Sequence, residues 1–239
     1  MEIFRAFSGL HAAALGAIAA LTLLAILRAR RGGARTPAAS PTERAIGLAY
    51  VAAWIGTYGW FLFSPLHDPL KTYPLQMCHL TALAAGLLLV TGWRPLRAIV
   101  YFWGIALCTQ ALVTPSLTEG PAIYPFWFFW TSHGLIVGVA AYDVCARGFR
   151  PALRDYGTAC AAGALYVAAV LPLDLWLGAN YGFVGPSRPE VPTIVDFLGP
   201  WPERVGVIMA IVAAAMGLAL APWELLRQLK TERADDQPG

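Results

Sequence analysis

Charged residues are scarce in this chain. Asp, Glu, Lys and Arg make up 13% of its 239 residues, whereas hydrophobic residues make up 58%. A soluble domain carries roughly 25% charged and 45–50% apolar residues, so the composition excludes an ordinary soluble fold. Segments of strictly alternating polarity are also missing, which argues against a transmembrane β-barrel. The sequence is therefore suited to lipid as its solvent.

Several chemical motifs are absent as well. The four cysteines (Cys78, Cys108, Cys145, Cys160) show no C-x-x-C spacing, which argues against a disulfide framework or a zinc ribbon. No helix carries an i, i+4 pair of metal ligands, so we predict no metal site. The phosphate-binding pattern G-x-x-x-x-G-K-[ST] is missing too, and no soluble acyl donor is indicated. We predict no cofactor and no nucleic-acid partner.

Long apolar runs are what the chain has in quantity. A membrane-spanning helix needs about 20 mostly apolar residues, and seven runs approach that length. They are Ser8–Leu27, Ala45–Phe63, Tyr73–Thr91, Leu96–Val113, Tyr124–Val144, Tyr156–Leu177 and Val205–Leu226. The sequence predicts an all-α, polytopic membrane protein of the cell membrane, with residues 1–239 as one seven-helix transmembrane domain. Its oligomeric state stays open.

The distribution of basic residues predicts the orientation. A signal peptide has its basic residues before the apolar core, whereas here they follow the first run, so we expect an uncleaved helix. Lysine and arginine accumulate in cytoplasmic loops, which places the N-terminus outside and the C-terminus in the cytoplasm. The cytoplasmic set is then Arg28, Arg30, Arg31, Arg35, Arg44, Arg94, Arg97, Arg147, Arg150, Arg154, Arg227, Lys230 and Arg233. Arg5, Lys71, Arg188 and Arg204 are left outside.

Polar side chains within the predicted spans are candidates for function, because burying them in lipid is costly. At 1.5 Å per residue, Cys78 lies about 8 Å, His133 about 14 Å and Gln110 about 5 Å below the outer edge. The same half holds the other polar candidates, which are His11, His67, His79, Asp174 and Asn180. This segregation predicts one polar pocket that opens toward the outer leaflet. The longest connection, Gly178–Glu203, fits either a lid or a passive connector.

Cys78 and His133 suit nucleophilic catalysis. A thiolate is a good nucleophile, and a neighbouring histidine can remove the thiol proton. Ala82, Ala85 and Gly86 share the helical face of Cys78, whereas His79 is rotated by about 100°. The same residues also fit a purely structural polar cluster, or ligation of a metal or haem, so the residues alone leave these alternatives open.

The order of several short motifs resembles a known family. They are Tyr73-Pro-Leu-Gln-Met-Cys-His-Leu80, Tyr101-Phe-Trp-Gly-Ile-Ala-Leu-Cys-Thr-Gln110, Phe128-Phe-Trp-Thr-Ser-His-Gly-Leu135, Leu177-Gly-Ala-Asn-Tyr-Gly-Phe183 and Leu198-Gly-Pro-Trp-Pro202. This set resembles the YwaF-like integral membrane proteins, which are similar to the eukaryotic transmembrane protein 164 acyltransferases. The resemblance runs from the second predicted helix to the seventh.

This resemblance implies seven helices and acyl transfer through an acyl-cysteine, with Cys78 as nucleophile and His133 as the helix histidine. More distant relatives look like androgen-induced hydrolases that use threonine at that position, so Cys78 favours transferase chemistry. The resulting prediction is a lipid acyltransferase with Gln110, His79 and Asn180 as substrate-binding residues. Its partners are a phospholipid acyl donor and a lysophospholipid acceptor. The alternatives are a lipid ester hydrolase and a non-enzymatic binder or transporter of small molecules.

Overall fold

The computed structural model of the chain describes residues 4–32, 39–65, 67–70, 72–117, 119–187 and 193–235. Helices account for 77% of the chain and the described residues contain no strand, so the predicted all-α class is confirmed. Seven long helices follow one another in these residues. They are α1 (Gly9–Arg31), α2 (Pro41–Phe63), α3 (Met77–Thr91), α4 (Arg94–Val113), α5 (Tyr124–Cys145), α6 (Leu153–Leu177) and α7 (Glu203–Asp235).

Each long helix coincides with one of the predicted apolar runs. Five of them, α1, α2, α4, α6 and α7, are long and apolar enough to cross a membrane. Of the other two, α3 has only 15 residues. Helix α5 has 22 residues, but its first half is aromatic and it contains His133 and Asp143, which reduce its hydropathy. The chain is therefore a membrane protein, and its described residues contain five candidate spans.

The helix ends depart from the predicted boundaries for local reasons. Helix α2 begins at Pro41 rather than Ala45, because Ser40 and Glu43 form a reciprocal capping box. Helix α3 begins at Met77 rather than Tyr73, since residues 72–76 form turns. Helix α7 continues beyond Leu226 to Asp235 through residues with high helix propensity.

Contacts between helix ends show that successive helices run in opposite directions. They join His11 to the Leu112 carbonyl, Thr57 to Tyr124, Arg30 to the Cys145 carbonyl, Arg94 to Asp155 and Arg227 to the Pro151 carbonyl, and Gly47 near the start of α2 lies against Gly86 in the second half of α3. We call the end at which α1 starts the histidine end, because the four histidines lie toward it. The opposite end is the basic end, where α1 finishes in Arg28, Arg30 and Arg31. Three residues of the orientation argument, Arg35, Lys71 and Arg188, lie outside the described residues.

Helices α3 and α4 form the centre of the bundle. Helix α3 packs against α2, α4 and α5, and α4 also contacts α6 and α7. The predicted small-residue face of α3 is confirmed, because Ala82 and Ala85 are fully buried. At Gly86, an added Cβ would lie 3.1 Å from the Tyr50 ring of α2. Small residues thus let α2 and α3 approach closely.

Buried ion pairs hold the basic end together. Arg97 of α4 donates two hydrogen bonds to Asp143 of α5, at 2.7 and 3.0 Å. The Arg147 guanidinium lies 3.8 Å from both Asp143 and Glu43 of α2. Because charges away from water are stabilised by such pairing, these arginines link α2, α4 and α5 at the basic end.

Candidate functional site

Cys78 lies in the first turn of α3, at the histidine end. It packs with Tyr50 of α2, Cys108 of α4 and Ile136 of α5, all of them buried. All four cysteines of the chain are free thiols. The late start of α3 corrects the expected depth of Cys78: the thiol stands at the beginning of its helix, where about 8 Å of preceding helix had been expected.

Hydrogen bonds hold the segment before α3 against α6 and the α6–α7 connection. The Tyr166 hydroxyl donates to the Leu75 carbonyl at 2.7 Å, and the Gly182 N–H donates to Gln76 Oε1 at 3.0 Å. The Tyr181 hydroxyl accepts from the Tyr73 N–H and donates to the Pro69 carbonyl. The turn preceding Cys78 is therefore positioned by residues about a hundred positions away in sequence.

The Tyr181 hydroxyl remains a donor at any physiological pH. Burial, the largest cause, raises the pKa of Tyr181 to about 12, and nearby Asp68 and Asp174 act in the same direction. A protonated phenol can bond two backbone groups at once, as it does here. The residue therefore works as a neutral clamp rather than as a proton donor in catalysis.

The start of α3 presents backbone N–H groups to the thiol. Gln76, the N-cap residue, makes no side-chain capping bond. The first N–H groups of a helix have no partner within the helix, and they favour negative charge. In α3 the N–H groups of His79 and Leu80 donate to the Gln76 carbonyl, which leaves those of Met77 and Cys78 as the donors at the helix start. These N–H groups favour an anionic sulfur at Cys78, whereas the apolar packing around the side chain opposes one.

His79 and His133 line one small cavity at the histidine end. It has a volume of about 200 Å³ and is otherwise lined mainly by aromatic residues, including Tyr124, Phe128 and Phe129. The two imidazoles are close enough to interact electrostatically. The Nδ1 atom of His79 is buried without a hydrogen-bond partner among the described residues. This cavity is the part of the predicted polar pocket that the structure contains.

The hydrogen bond of His133 defines its tautomer. Its Nδ1 atom lies 2.9 Å from the Phe129 carbonyl oxygen, which can only accept. Nδ1 therefore carries the proton, and Nε2 of the neutral ring holds the free lone pair. The Phe129 ring packs on the imidazole with centroids 4.3 Å apart. The arrangement leaves Nε2 as the atom that can accept a proton.

Cys78 and His133 belong to adjoining parts of the site. The Cys78 cluster includes Ile136, one turn from His133, and the Tyr50 hydroxyl of that cluster donates to Ser132 at 3.0 Å. No hydrogen bond joins Cys78 to His133 in the described part of the chain. Direct contact between the Cys78 and His133 side chains therefore stays a prediction.

The remaining candidates occupy different surroundings. The Gln110 side chain is exposed near the end of α4. Asn180 begins the loop that clamps α3, and its Oδ1 atom is buried without a partner in that described segment. His11 lies apart from the others, since its ring bonds the Leu112 carbonyl and the Phe7 N–H. The four histidines therefore share one end of the bundle but not one pocket.

The described ranges contain no group of three or more His, Cys, Asp and Glu side chains placed to hold an ion. The two histidines of the cavity have aromatic side chains around them rather than further ligands.

Comparison with known proteins assigns the chain to a family. The sequence profile of the TMEM164 family matches residues 6–220, which is most of the chain. The chain belongs to the TMEM164 family. No curated protein and no solved structure matches it. The match confirms the TMEM164 part of the resemblance drawn from the motifs, whereas the YwaF-like label stays a prediction.

Two of the matching motifs meet in space in this TMEM164-family chain. The segment that includes Cys78 contacts the segment that includes Tyr181 and Gly182. Tyr166, Tyr181 and Gln76 were not predicted as site residues from the sequence. Gln76 and Tyr181 stand within motifs of the family resemblance, so their places there were available signals. Tyr166 lies in an ordinary apolar helix and gives none.

Proposed function

We propose that this protein transfers a fatty acyl chain between phospholipids through an acyl-cysteine at Cys78, with His133 as the base. The observation that carries the proposal is the position of Cys78. It is a free thiol at an uncapped helix start, and its packing cluster reaches within one turn of His133. Membership of the TMEM164 family supports acyltransferase chemistry.

The first half of the reaction forms a thioester. His133 Nε2 takes the thiol proton as Cys78 Sγ attacks the ester carbonyl of a phospholipid. The ester C–O bond breaks, and the lysophospholipid leaves as an alcohol with the proton from His133. Because the surroundings of Cys78 are apolar, the thiolate forms only as the proton passes to this base. A small rotation of the Cys78 side chain toward α5 is part of the proposal.

The second half reverses these steps with a different alcohol. His133 removes the hydroxyl proton of a lysophospholipid acceptor, whose oxygen attacks the thioester carbonyl. The C–S bond breaks, and the Cys78 sulfur regains the proton from His133. A thioester suits transfer because it retains the reactivity of the acyl group until the acceptor arrives.

In both halves of the reaction, negative charge develops on the carbonyl oxygen under attack, and hydrogen-bond donors must stabilise it. The N–H groups of Met77 and Cys78 stand at the uncapped start of α3, so they suit an oxyanion next to Cys78. Gln110, His79 and Asn180 remain the proposed substrate-binding side chains. Of these, His79 lines the cavity with His133, and its unpartnered Nδ1 can bind an ester or headgroup oxygen.

We further propose that all seven long helices cross the cell membrane, with the N-terminus outside. Seven helices of alternating direction place the two ends of the bundle on opposite sides, as an odd number of spans requires. Helix α3 is short, but the turn of residues 72–76 continues it toward the histidine end. The basic end then faces the cytoplasm, and the cavity of His133 lies in the outer leaflet near the ester groups of the lipids.

An acyl adduct on the purified protein tests the mechanism. The wild-type protein, incubated with phospholipid, should gain one hydroxylamine-labile acyl mass in intact mass spectrometry. Cys78→Ala should lose this adduct, and the control Cys160→Ala, a partly buried thiol on α6, should keep it. An adduct that persists in Cys78→Ala would rule out the proposed thioester.

His133→Ala should form the adduct at least ~100-fold more slowly, the usual contribution of a general base. His11→Ala is the matched control, since His11 lies outside the cavity. Equal rates for His133→Ala and the wild type would exclude His133 as the base. Product analysis then separates transfer from hydrolysis, because a hydrolase releases free fatty acid.

A further inference from the structure

A second, larger cavity lies on another face of α5. It is a groove of about 930 Å³ between α1 and α2, and α5 forms its floor. We call it the α1–α2 groove. Ala17, Leu21 and Ala25 of α1 and Leu135 and Val139 of α5 line its apolar length. His79 and His133 are not among its lining residues, so the groove is separate from the proposed reaction site.

The packing of α1 and α2 on different partners creates this groove. Helix α1 lies directly on α5, where a Cβ at Gly134 or Gly138 would come within 2.9 Å of Ile18 or Thr22. Helix α2 lies directly on α3, where a Cβ at Gly47 would come within 2.6 Å of the Gly86 carbonyl. The two close approaches hold α1 and α2 apart, so the space between them is a fixed feature of the bundle.

The length of the groove matches an extended hydrocarbon chain. Its lining runs along α5 from Trp127 to Tyr142, which is about 22 Å of helix. One leaflet of the hydrocarbon core is about 15 Å thick, so the groove is long enough for an acyl chain. Polar side chains are confined mainly to its basic end, which is the polarity expected of a site for a single amphiphile.

The basic end of the groove carries an excess of positive charge. Arg28, Glu43, Tyr142 and Arg147 line it, and Arg147 is only 4% exposed. Arg147 lies between Glu43 and Asp143, and Asp143 also pairs with Arg97. These four charges balance, so Arg28 adds a net positive charge. Arginine suits phosphate because its planar donors match phosphate oxygens.

We propose that the α1–α2 groove binds one anionic phospholipid, with an acyl chain along α5 and the phosphate at Arg28 and Arg147. The lipid enters sideways from the leaflet at the basic end, between α1 and α2. This leaflet is the one opposite the His133 cavity. The bound lipid is a structural lipid that does not exchange its acyl chain at Cys78. The inference is therefore independent of the proposed function.

Native mass spectrometry of the full-length protein in detergent, titrated with phosphatidylglycerol, tests this site. The wild-type protein should retain one phosphatidylglycerol and hold phosphatidylcholine at least several-fold more weakly. Ala25→Trp fills the groove from an exposed position on α1, and Ala161→Trp is the matched control on the exposed face of α6. We expect the retained lipid to be lost in Ala25→Trp and kept in Ala161→Trp.

Arg28→Gln should weaken the phosphatidylglycerol complex ~5-fold, the usual effect of one basic residue near an anionic lipid. Its control is Arg154→Gln, an exposed arginine at the same end but outside the groove. Equal retention of phosphatidylglycerol by Ala25→Trp and Ala161→Trp would overturn the proposal. Equal binding of phosphatidylglycerol and phosphatidylcholine by the wild type would overturn it too. Neither of these outcomes would affect the acyl adduct on Cys78, so the two proposals are tested separately.

Discussion

At the residue scale, the proposed site depends on a close approach between Gly182 and Tyr166. Gly182 has a φ of +61°, and a Cβ at this position would lie 2.2 Å from the Tyr166 hydroxyl oxygen. That hydroxyl bonds Leu75, three residues before Cys78. A side chain at position 182 would therefore disturb the turn that positions the thiol.

Gly182→Ala should destabilise the protein more than Gly178→Ala does. Both glycines have positive φ, which costs alanine about 1–2 kcal/mol, but only position 182 is crowded. The crowding should add about 1–3 kcal/mol and slow acylation of Cys78. Denaturant unfolding in detergent, together with the adduct assay, measures both effects. Equal losses at the two positions would show that the contact with Tyr166 does not position the turn.

At the element scale, a short 3₁₀ helix, Ile194–Leu198, is tied to the start of α7 by a charged cluster. Asp196 pairs with Arg204, which is fully buried and also bonds the Gly185 carbonyl. Hydrogen bonds from the Thr193 N–H and the Ser187 hydroxyl lower the pKa of Asp196 to about 2, and Arg204 adds to this. The cluster therefore fixes the long loop between α6 and α7 to the first turn of α7.

Acid should release this 3₁₀ helix. The folded pKa of Asp196 lies below its ordinary value of 3.8, so its stabilising effect is complete above about pH 4. The effect is lost as the pH falls toward 2. Hydrogen exchange of residues 193–204 should therefore accelerate over that range, and in Asp196→Asn it should be fast already at pH 6. Glu203→Gln, an exposed change in the same segment, should behave as wild type. Slow exchange in Asp196→Asn at pH 6 would show that the pairing of Asp196 with Arg204 does not hold the 3₁₀ helix in place.

At the scale of the whole molecule, the sequence predicts the helices better than the site. Apolar runs locate all seven long helices, because the cost of exposing polar groups to lipid acts on each helix separately. The start of α3 was missed, since Tyr166 and Tyr181 hold residues 73–76 in turns. The common end of the histidines was predictable from depth. Which of them share a cavity depends on helix rotation, so His11 was wrongly grouped with His133.

The orientation of the bundle is a prediction for the whole molecule, and Cys145 offers a natural reporter for it. This exposed thiol ends α5 at the basic end, beside Arg30, whereas Cys108 is buried and Cys78 is partly buried. With the N-terminus outside, a membrane-impermeant maleimide should label inverted vesicles and leave intact cells unlabelled. Cys145→Ser should remove the labelling.

A reporter at the opposite end completes this test. Ser116 is exposed in the connection after α4, at the histidine end, and the change from serine to cysteine is small. Ser116→Cys in the Cys145→Ser background should be labelled on intact cells. Labelling of Cys145 from outside would mean that the bundle has the opposite orientation, with the His133 cavity in the cytoplasmic leaflet. Labelling of both positions from the same side would mean that α5 does not cross the membrane, because the two positions flank that helix.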